Sequence, residues 1–398
     1  MKKIAVIQFP GINCEYEGRR ALRSAGLAAE FFRWNQDASE LKNYDAFYIP
    51  GGFSYEDRIR SGAIAARDPI MDAIKLEAAK GKPVLGICNG AQILVEAGLI
   101  PGLDQNRLGA SLAANNRGYL NIWVSIRNES EPGRTVFNNF PKGHEIRLPI
   151  AHGEGRFVIP QNLLDQLIAN GQTVFRYLVN PNGAVYNLAG VSNPEGNVLA
   201  LMPHPERTKD GQVIFESLKG YLEGKFTLKP GPNLSFQPQK QNLEKFAAGN
   251  NSFEMLVDLI ITDNEAESLQ TTLEQSGLRG LKVKRFTHWE LGIDDRRNFE
   301  KLSRELIASG EILNTNKETA YLDRSRLFDN TKTILVRDNE DFIGQGKLAV
   351  INHRLGINEI NSVKRGVVWQ INASDADWDK ILQSNILFNP YSQTGYLF

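Results

Sequence analysis

Val84-Leu85-Gly86-Ile87-Cys88-Asn89-Gly90-Ala91-Gln92 decides the fold of this chain. With Pro83 it begins as an apolar run that reads as a buried parallel strand. From Asn89 to Ala97 it reads as a helix, and Cys88 falls at the junction. Glycines two residues before and two residues after the cysteine give G-x-C-x-G. This is the thiol counterpart of an elbow in which a sharp strand-to-helix turn lifts a nucleophile above a sheet. The place favours reactivity in two ways. A helix N-terminus carries partial positive charge and free N–H groups, which stabilise a thiolate. The N–H of Asn89 is aimed where an oxyanion would develop. A buried structural cysteine is the alternative, because free Cys is among the most buried residue types; the flanking glycines weigh against it.

Outward from the elbow, residues 1 to about 227 alternate strand-like and helix-like segments. Ile4 to Phe9 reads as a strand and Glu15 to Gly26 as a helix with a glycine at its end. Ala46-Phe47-Tyr48-Ile49 is a second buried strand, stopped by Pro50-Gly51-Gly52. Asp68-Pro69 opens a helix that Gly81 closes. This rhythm predicts an α/β domain with a doubly wound, mostly parallel, flavodoxin-like sheet, whose ligands collect at the carboxyl ends of strands. Three such ends carry unusual loops: Phe9-Pro10-Gly11, Pro50-Gly51-Gly52-Phe53 and the elbow.

Residues 228–250 are rich in proline and glutamine and read as a linker. Beyond them an internal repeat is visible. Lys284-Arg285-Phe286-Thr287-His288-Trp289 recurs as Lys364-Arg365-Gly366-Val367-Val368-Trp369, an offset of 80. Leu313-Asn314 with Thr319-Ala320-Tyr321-Leu322 recurs as Phe388-Asn389 with Thr394-Gly395-Tyr396-Leu397, an offset of 75. The expectation is two small α+β domains, 251–327 and 328–398, each reading strand, helix, strand, helix, short strand. In the first copy Leu256 to Thr262 is the opening strand. Two such copies can pair about a pseudo-twofold, as a homodimer does between chains.

The 398 residues carry 46 basic and 46 acidic side chains. That balance argues against a broad basic face for nucleic acid. No apolar run approaches the roughly 20 residues that span a bilayer, so no membrane partner is expected. The charged start and the short apolar stretch before Pro10-Gly11 do not make a signal peptide. Two cysteines cannot build a disulfide framework and fit a reducing compartment, so a cytoplasmic protein is expected.

A cysteine nucleophile needs a base and a group to orient it. Of five histidines, two stand in His-x-Glu: His152-Gly153-Glu154 and His204-Pro205-Glu206. The second follows the apolar strand Asn197 to Met202, so it lies at a strand end like the elbow. Alternation turns His204 and Glu206 to one side, where Glu206 can bond one ring nitrogen while the other faces the thiol. His204 is therefore the candidate base ahead of His152. His144, His288 and His353 read as surface residues, and Cys14 as structural. Gly51-Gly52-Phe53 supplies backbone able to approach a ligand closely and, with the Asn89 N–H, to complete a two-donor oxyanion hole. The cysteines and histidines are too scattered for a metal cluster. Gly344-Gln345-Gly346-Lys347 has the wrong spacing for a phosphate loop.

These motifs carry a family resemblance. Gly86-Ile87-Cys88-Asn89-Gly90-Ala91-Gln92 with Met202-Pro203-His204-Pro205-Glu206-Arg207 resembles the class I glutamine amidotransferases. Phe9-Pro10-Gly11-Ile12-Asn13-Cys14, Pro50-Gly51-Gly52-Phe53-Ser54-Tyr55, Pro149 to Gly155 and Asn193 to Val198 narrow it. Residues 1 to about 227 resemble the glutaminase subunit of phosphoribosylformylglycinamidine synthase, the PurQ type. The resemblance implies a triad of Cys88, His204 and Glu206. It implies glutamine held near Gln92, and an oxyanion met by N–H groups at Phe53 or its neighbours and at Asn89. It implies no cofactor in this chain, and a large ATP- and magnesium-dependent synthetase subunit as the partner that receives ammonia in purine synthesis. The carboxy-terminal repeats resemble the small PurS-type subunit of the same complex, here twice in tandem, which bridges the other two. The pattern departs at Glu56, where the family has a small residue, and over Asn115 to Trp123, which lacks an expected phenylalanine and arginine. Two rival readings remain: a non-catalytic scaffold built on the same fold, and a stand-alone amide hydrolase.

Overall fold

Short runs with no polar face become central strands, because both of their sides must be covered. Ala46–Ile49, Val84–Ile87 and Val198–Leu201 are buried at every position. The computed structural model describes residues 1–238 and 242–398. The linker residues Gln239, Lys240 and Gln241 lie outside the described residues. The chain divides into two compact units, Met1–Gln239 and Lys240–Phe398.

The first unit runs β1 (Lys3–Gln8), α1 (Glu15–Ser24), β2 (Ala28–Arg33), β3 (Ala46–Ile49), α2 (Pro69–Ala79), β4 (Val84–Ile87) and α3 (Asn89–Glu96). It continues through β5 (Ser111–Ala114), β6 (Leu120–Asn128), β7 (Glu145–His152), β8 (Glu154–Val158), α4 (Gln161–Ala169), β9 (Phe175–Tyr177), β10 (Leu188–Ser192), β11 (Val198–Leu201) and α5 (Gln212–Leu222). Its large sheet has the order β2-β1-β3-β4-β11-β10-β9-β6-β7. From β2 to β11 neighbouring strands are parallel, and from β11 to β7 they are antiparallel. The loops that follow β1, β3, β4 and β11 therefore stand side by side along one carboxyl edge. They carry Cys14, Gly51-Gly52, Cys88 and His204. The expected cap holds too: Asp68 accepts from the Ile70 N–H at 3.1 Å, with Pro69 in the first turn.

The expected linker is not free along its length. Lys229 and Gly231 donate backbone hydrogen bonds to Gly133 and Pro194, and Leu234 and Phe236 are buried on the first unit. Glu244–Lys245 forms β12, an edge strand of the second unit. Two apolar side chains in a polar, proline-rich segment are enough to anchor it.

The second unit continues with β13 (Ser252–Leu259), α6 (Asn264–Gln275), β14 (Val283–Ile293), α7 (Phe299–Ser309) and β15 (Glu318–Tyr321). The same order follows in β16 (Lys332–Asp338), α8 (Phe342–Leu355), β17 (Ile360–Ile371), α9 (Asp375–Gln383) and β18 (Gln393–Leu397). All the strands share one seven-stranded sheet, β12-β18-β16-β17-β14-β13-β15. β14 and β17 pair antiparallel at its centre. Thr287 pairs with Val367, its own counterpart at the offset of 80, so a pseudo-twofold passes between them. β13 starts and ends earlier than its sequence suggests, because Ile260 and Ile261 lie beyond it and are exposed. His288, read from sequence as surface, is fully buried. Its Nε2 meets Glu254 Oε1 at 3.0 Å, and Arg337 lies 3.2 Å from its Nδ1. Among the described residues no helix is long and apolar enough to cross a membrane.

Close backbone packing makes a test. A Cβ on Gly90 would stand 2.0 Å from the Ile49 carbonyl oxygen, whereas one on Gly346, inside α8, meets nothing within 4 Å. Gly90→Ala is expected to destabilise the first unit by about 1–3 kcal/mol through overpacking. Gly346→Ala is expected to stabilise the second by about 0.5–1 kcal/mol. Urea unfolding of each variant against the parent chain measures both.

Candidate active site

Cys88 has φ 51° and ψ −107°, a backbone that L-residues rarely adopt. It links β4 to the first turn of α3, and no side chain caps that helix. The flanking glycines allow the turn. A Cβ on Gly86 would meet the Gly90 carbonyl oxygen at 2.5 Å, so strand and helix touch backbone to backbone. Cys88 is only 4% exposed, and its Sγ lies 3.7 Å from the Ala151 carbonyl oxygen.

His204 and Glu206 follow β11, and the ring Nδ1 meets Glu206 Oε1 at 2.6 Å. The His204 backbone N–H donates to the Pro149 carbonyl at 3.0 Å. Its Nε2 is buried and finds no hydrogen-bond partner among the described residues. Burial works against a charged ring here, but the Glu206 carboxylate and then the Cys88 sulfur outweigh it and hold His204 well above the usual imidazole value. His152 behaves oppositely. Burial, then the neighbouring His204, push it down to about 3, so its ring stays neutral. Asn115 lies against its Nδ1 at 3.2 Å. The two His-x-Glu histidines thus lie in opposite electrostatic surroundings.

Gly51 lies between these groups. A Cβ there would stand 2.9 Å from His204 Cε1, 3.2 Å from Cys14 Sγ and 3.3 Å from Cys88 Cβ. Cys14, read from sequence as structural, thus faces the same imidazole as Cys88. Its Sγ, a His204 nitrogen and a Glu206 oxygen lie within 4.8 Å of one another. Groups of metal-ligating type that are scattered in sequence are therefore gathered in space, contrary to expectation. Ring and carboxylate already bond each other, and Arg207 Nη2 lies 3.2 Å from the Cys14 sulfur.

The oxyanion loop differs in detail from its sequence reading. The Phe53 N–H donates to the Gly11 carbonyl at 3.0 Å, so it does not face the thiol as a free donor. The Ser54 N–H is held by Asn89 Oδ1 at 3.0 Å. The Asn89 amide also donates to Asp57 Oδ1 at 3.1 Å and to Gln92 Oε1 at 2.9 Å. Gln92 in turn donates to the Glu154 carbonyl, so both ends of its side chain are bound within the protein. Asn89 and Gln92 lace the loop to α3; neither extends a free amide toward a ligand. Arg60 and Glu96 add a buried ion pair, Nε to Oε1 at 2.9 Å.

Tyr55, Glu56, Asp57 and Ile59 all have left-handed backbones. Glu56 is the residue where the family pattern has a small one. Its exposed carboxylate pairs with Arg58 at 3.0 Å. Asp57 is pushed up to about 7, first by burial and then by the Glu154 carboxylate.

The chain is similar to several known proteins. Residues 1–216 match the model of the CobB/CobQ-like glutamine amidotransferase domain. The chain is similar to phosphoribosylformylglycinamidine synthase subunit PurQ of Methanothrix thermoacetophila, 43% identical over 259 residues, covering 56% of this chain and 98% of that protein. It is similar to the same subunit of Lacticaseibacillus casei, 45% identical over 231 residues, covering 56% and 96%. A solved structure, PurLQS from Thermotoga maritima, aligns with a TM-score of 0.49 and 37% identity, covering 56% of this chain and 99% of that chain.

The loop yields two expectations. A left-handed L-residue costs about 1–2 kcal/mol relative to its ordinary backbone, and glycine returns part of that in unfolded-state freedom. Glu56→Gly is expected to raise the stability of the first unit by about 0.5–1 kcal/mol in urea unfolding. Asp57 holds its proton in the folded chain between its unfolded value of about 4 and about 7. The folded state then binds more protons, so stability falls as pH rises through that window. Asp57→Asn is expected to remove this fall; unfolding midpoints at the two ends of the window measure it.

Proposed function

Because the chain belongs to the CobB/CobQ-like glutamine amidotransferase domain family, we propose that its first unit hydrolyses glutamine on Cys88 and supplies the ammonia to phosphoribosylformylglycinamidine synthesis. Its role is that of the PurQ-type glutamine amidotransferase subunit in purine biosynthesis. The observation that carries this is an imidazole held at 2.6 Å by a carboxylate, lying with the elbow cysteine around Gly51. The relatives named PurQ, of which the chain covers 96–98%, support the substrate and pathway.

The Cys88 sulfur attacks the side-chain amide carbon of glutamine as His204 holds the thiol proton. The carbonyl oxygen takes negative charge, met by the Asn89 N–H at the head of α3 and by the Gly51-Gly52 backbone. The carbon–nitrogen bond breaks as His204 gives its proton to the departing ammonia. A thioester remains. Water, relieved of a proton by the now neutral His204, attacks it and releases glutamate. Glu206 orients the ring and stabilises its charged form. ATP and magnesium act on a separate large synthetase subunit, the partner in this reading.

The second unit is the bridge. Its two βαβαβ runs, 252–321 and 332–397, pair about a pseudo-twofold as two PurS-type subunits would. Covalent linkage to the glutaminase raises the effective concentration of that bridge.

Reconstitution with the ATP-dependent synthetase subunit tests the reading. Cys88→Ala is expected to abolish amidine formation from glutamine and spare formation from ammonium. His204→Ala is expected to lower glutamine-dependent kcat/KM by about 10²–10⁴-fold, the usual worth of a positioned acid–base. Glutamine-dependent turnover surviving in Cys88→Ala would end the proposal.

A further inference from the structure

Cys14 is a buried nucleophile for which glutamine hydrolysis has no use. Both Cys14 and Cys88 are free thiols, 2% and 4% exposed. They come from loops after two different strands and meet at Gly51. The Cys14 sulfur and the Cys88 Cβ lie 3.2 and 3.3 Å from the single point a Gly51 Cβ would occupy. Glycine leaves that point empty of side chain, so atoms of both cysteines border one space the size of a methyl group.

We propose that Cys14 is the resolving thiol of a peroxide-responsive site: when peroxide oxidises Cys88, Cys14 captures it as a Cys14–Cys88 disulfide. The proposal rests on the reading of Cys88 as an activated nucleophile. In the first step the Cys88 thiolate attacks one oxygen of hydrogen peroxide. The oxygen–oxygen bond breaks, Cys88 becomes a sulfenic acid, and the leaving hydroxide takes the His204 proton as water. In the second step Cys14 passes its proton to His204 and attacks the Cys88 sulfur. The sulfur–oxygen bond breaks and hydroxide leaves, again taking the His204 proton as water. Two thiols and one peroxide give one disulfide and two waters.

The surroundings of Cys14 suit that part. Burial pushes its thiol up, so it rests protonated and does not compete for glutamine. His204 is placed to accept its proton, since the sulfur and a ring nitrogen lie within 4.8 Å. Arg207 Nη2, 3.2 Å from the sulfur, stabilises the thiolate once formed. The Gly51 space is where the bond would close, and closure brings the two Cβ atoms to about 3.5–4.5 Å. The disulfide takes the nucleophile out of use without destroying it, and any dithiol reductant restores it.

The test treats the full chain with hydrogen peroxide, blocks remaining thiols, and reads digests by mass spectrometry before and after dithiothreitol. The expected product is a Cys14–Cys88 cross-linked peptide lighter by two hydrogens. Glutamine-dependent activity in the reconstituted complex is expected to fall and then return on reduction. In Cys14→Ser the fraction recovered, relative to that variant's own untreated activity, is expected to drop about tenfold or more, because Cys88 proceeds to sulfinic acid that thiols do not reduce. In Cys88→Ser, Cys14 is expected to stay reduced. Cys88 reaching sulfinic acid in the parent chain without the cross-link would overturn the proposal. So would equal recovery in Cys14→Ser, or Cys14 oxidised as readily in Cys88→Ser as in the parent. The cross-link is read without turnover. A cross-link in a chain that a glutamine-analogue electrophile fails to label at Cys88 sinks the glutaminase reading alone; labelling without a cross-link sinks this one alone.

Discussion

The site depends on one backbone conformation, the left-handed turn at Cys88. A non-glycine residue there is strained by about 1–2 kcal/mol, and it persists only where its surroundings leave no alternative. Here they do. The chain enters from β4, buried at every position, and leaves into α3, whose Gly90 lies against the Ile49 carbonyl and whose first turn packs on Gly86. Any relaxation of Cys88 toward an ordinary backbone would pull the helix off the strand ends. The strain puts Cys88 at the head of a helix, beside the His204 imidazole.

The second constraint is that four neighbouring loops must meet at one point without side chains to fill it. Gly51 provides this by absence, since a Cβ would press on His204 and crowd both cysteines. Asn89 provides it by presence: one buried amide holds Ser54, Asp57 and Gln92. The loop after β3 is tied to the helix that begins at Cys88, so whatever shifts α3 shifts the loop with it. The left-handed residues Tyr55, Glu56, Asp57 and Ile59 show that the loop takes its shape from these ties and not from local preference. Glu56 occupies a backbone better suited to glycine, with its carboxylate in solvent and held by Arg58.

What could be read from the sequence was what is written locally. The elbow is legible because its glycines flank the cysteine within five residues. His204 and Glu206 are legible because alternation along a strand places them together. The place of Cys14 was not legible because it lies in sheet order: β1 neighbours β3 and β3 neighbours β4, and no local pattern announces that its loop ends beside His204 and Glu206. Phe53 and Gln92 were read as ligand contacts from their place in a motif. The structure uses the Phe53 N–H on Gly11 and the Gln92 amide on Asn89 and Glu154, because buried polar groups are satisfied first within the protein. The apolar pair Ile260-Ile261 drew the expected strand past its end, and the lone His288 hid a buried ion cluster whose partners, Glu254 and Arg337, are far along the chain.

That cluster shows what joining two copies in one chain permits. Across the central pair of the second sheet, His288 faces Gly366, and the related pair on the other side of the axis is Phe286 with Val368. In a symmetric homodimer the two positions would be occupied alike. Here one side packs Phe286, Val368 and Leu335 into an apolar cluster that Phe246 and Leu256 complete, Leu256 standing opposite His288. The other buries His288 between Glu254 and Arg337, with the rings of Phe246 and Phe398 against its edge. A polar cluster around a buried imidazole adds little net stability over an apolar core of the same volume. It does require its partners in one arrangement. Glu254 comes from β13 and Arg337 from β16, one from each run, so the cluster forms only when the first run and the second pair in this register. Among the described residues, β12 lies at one edge, beside β18, with no counterpart beyond β15. The two halves are alike in topology and different in chemistry, which distinguishes one end of the pseudo-dimer from the other.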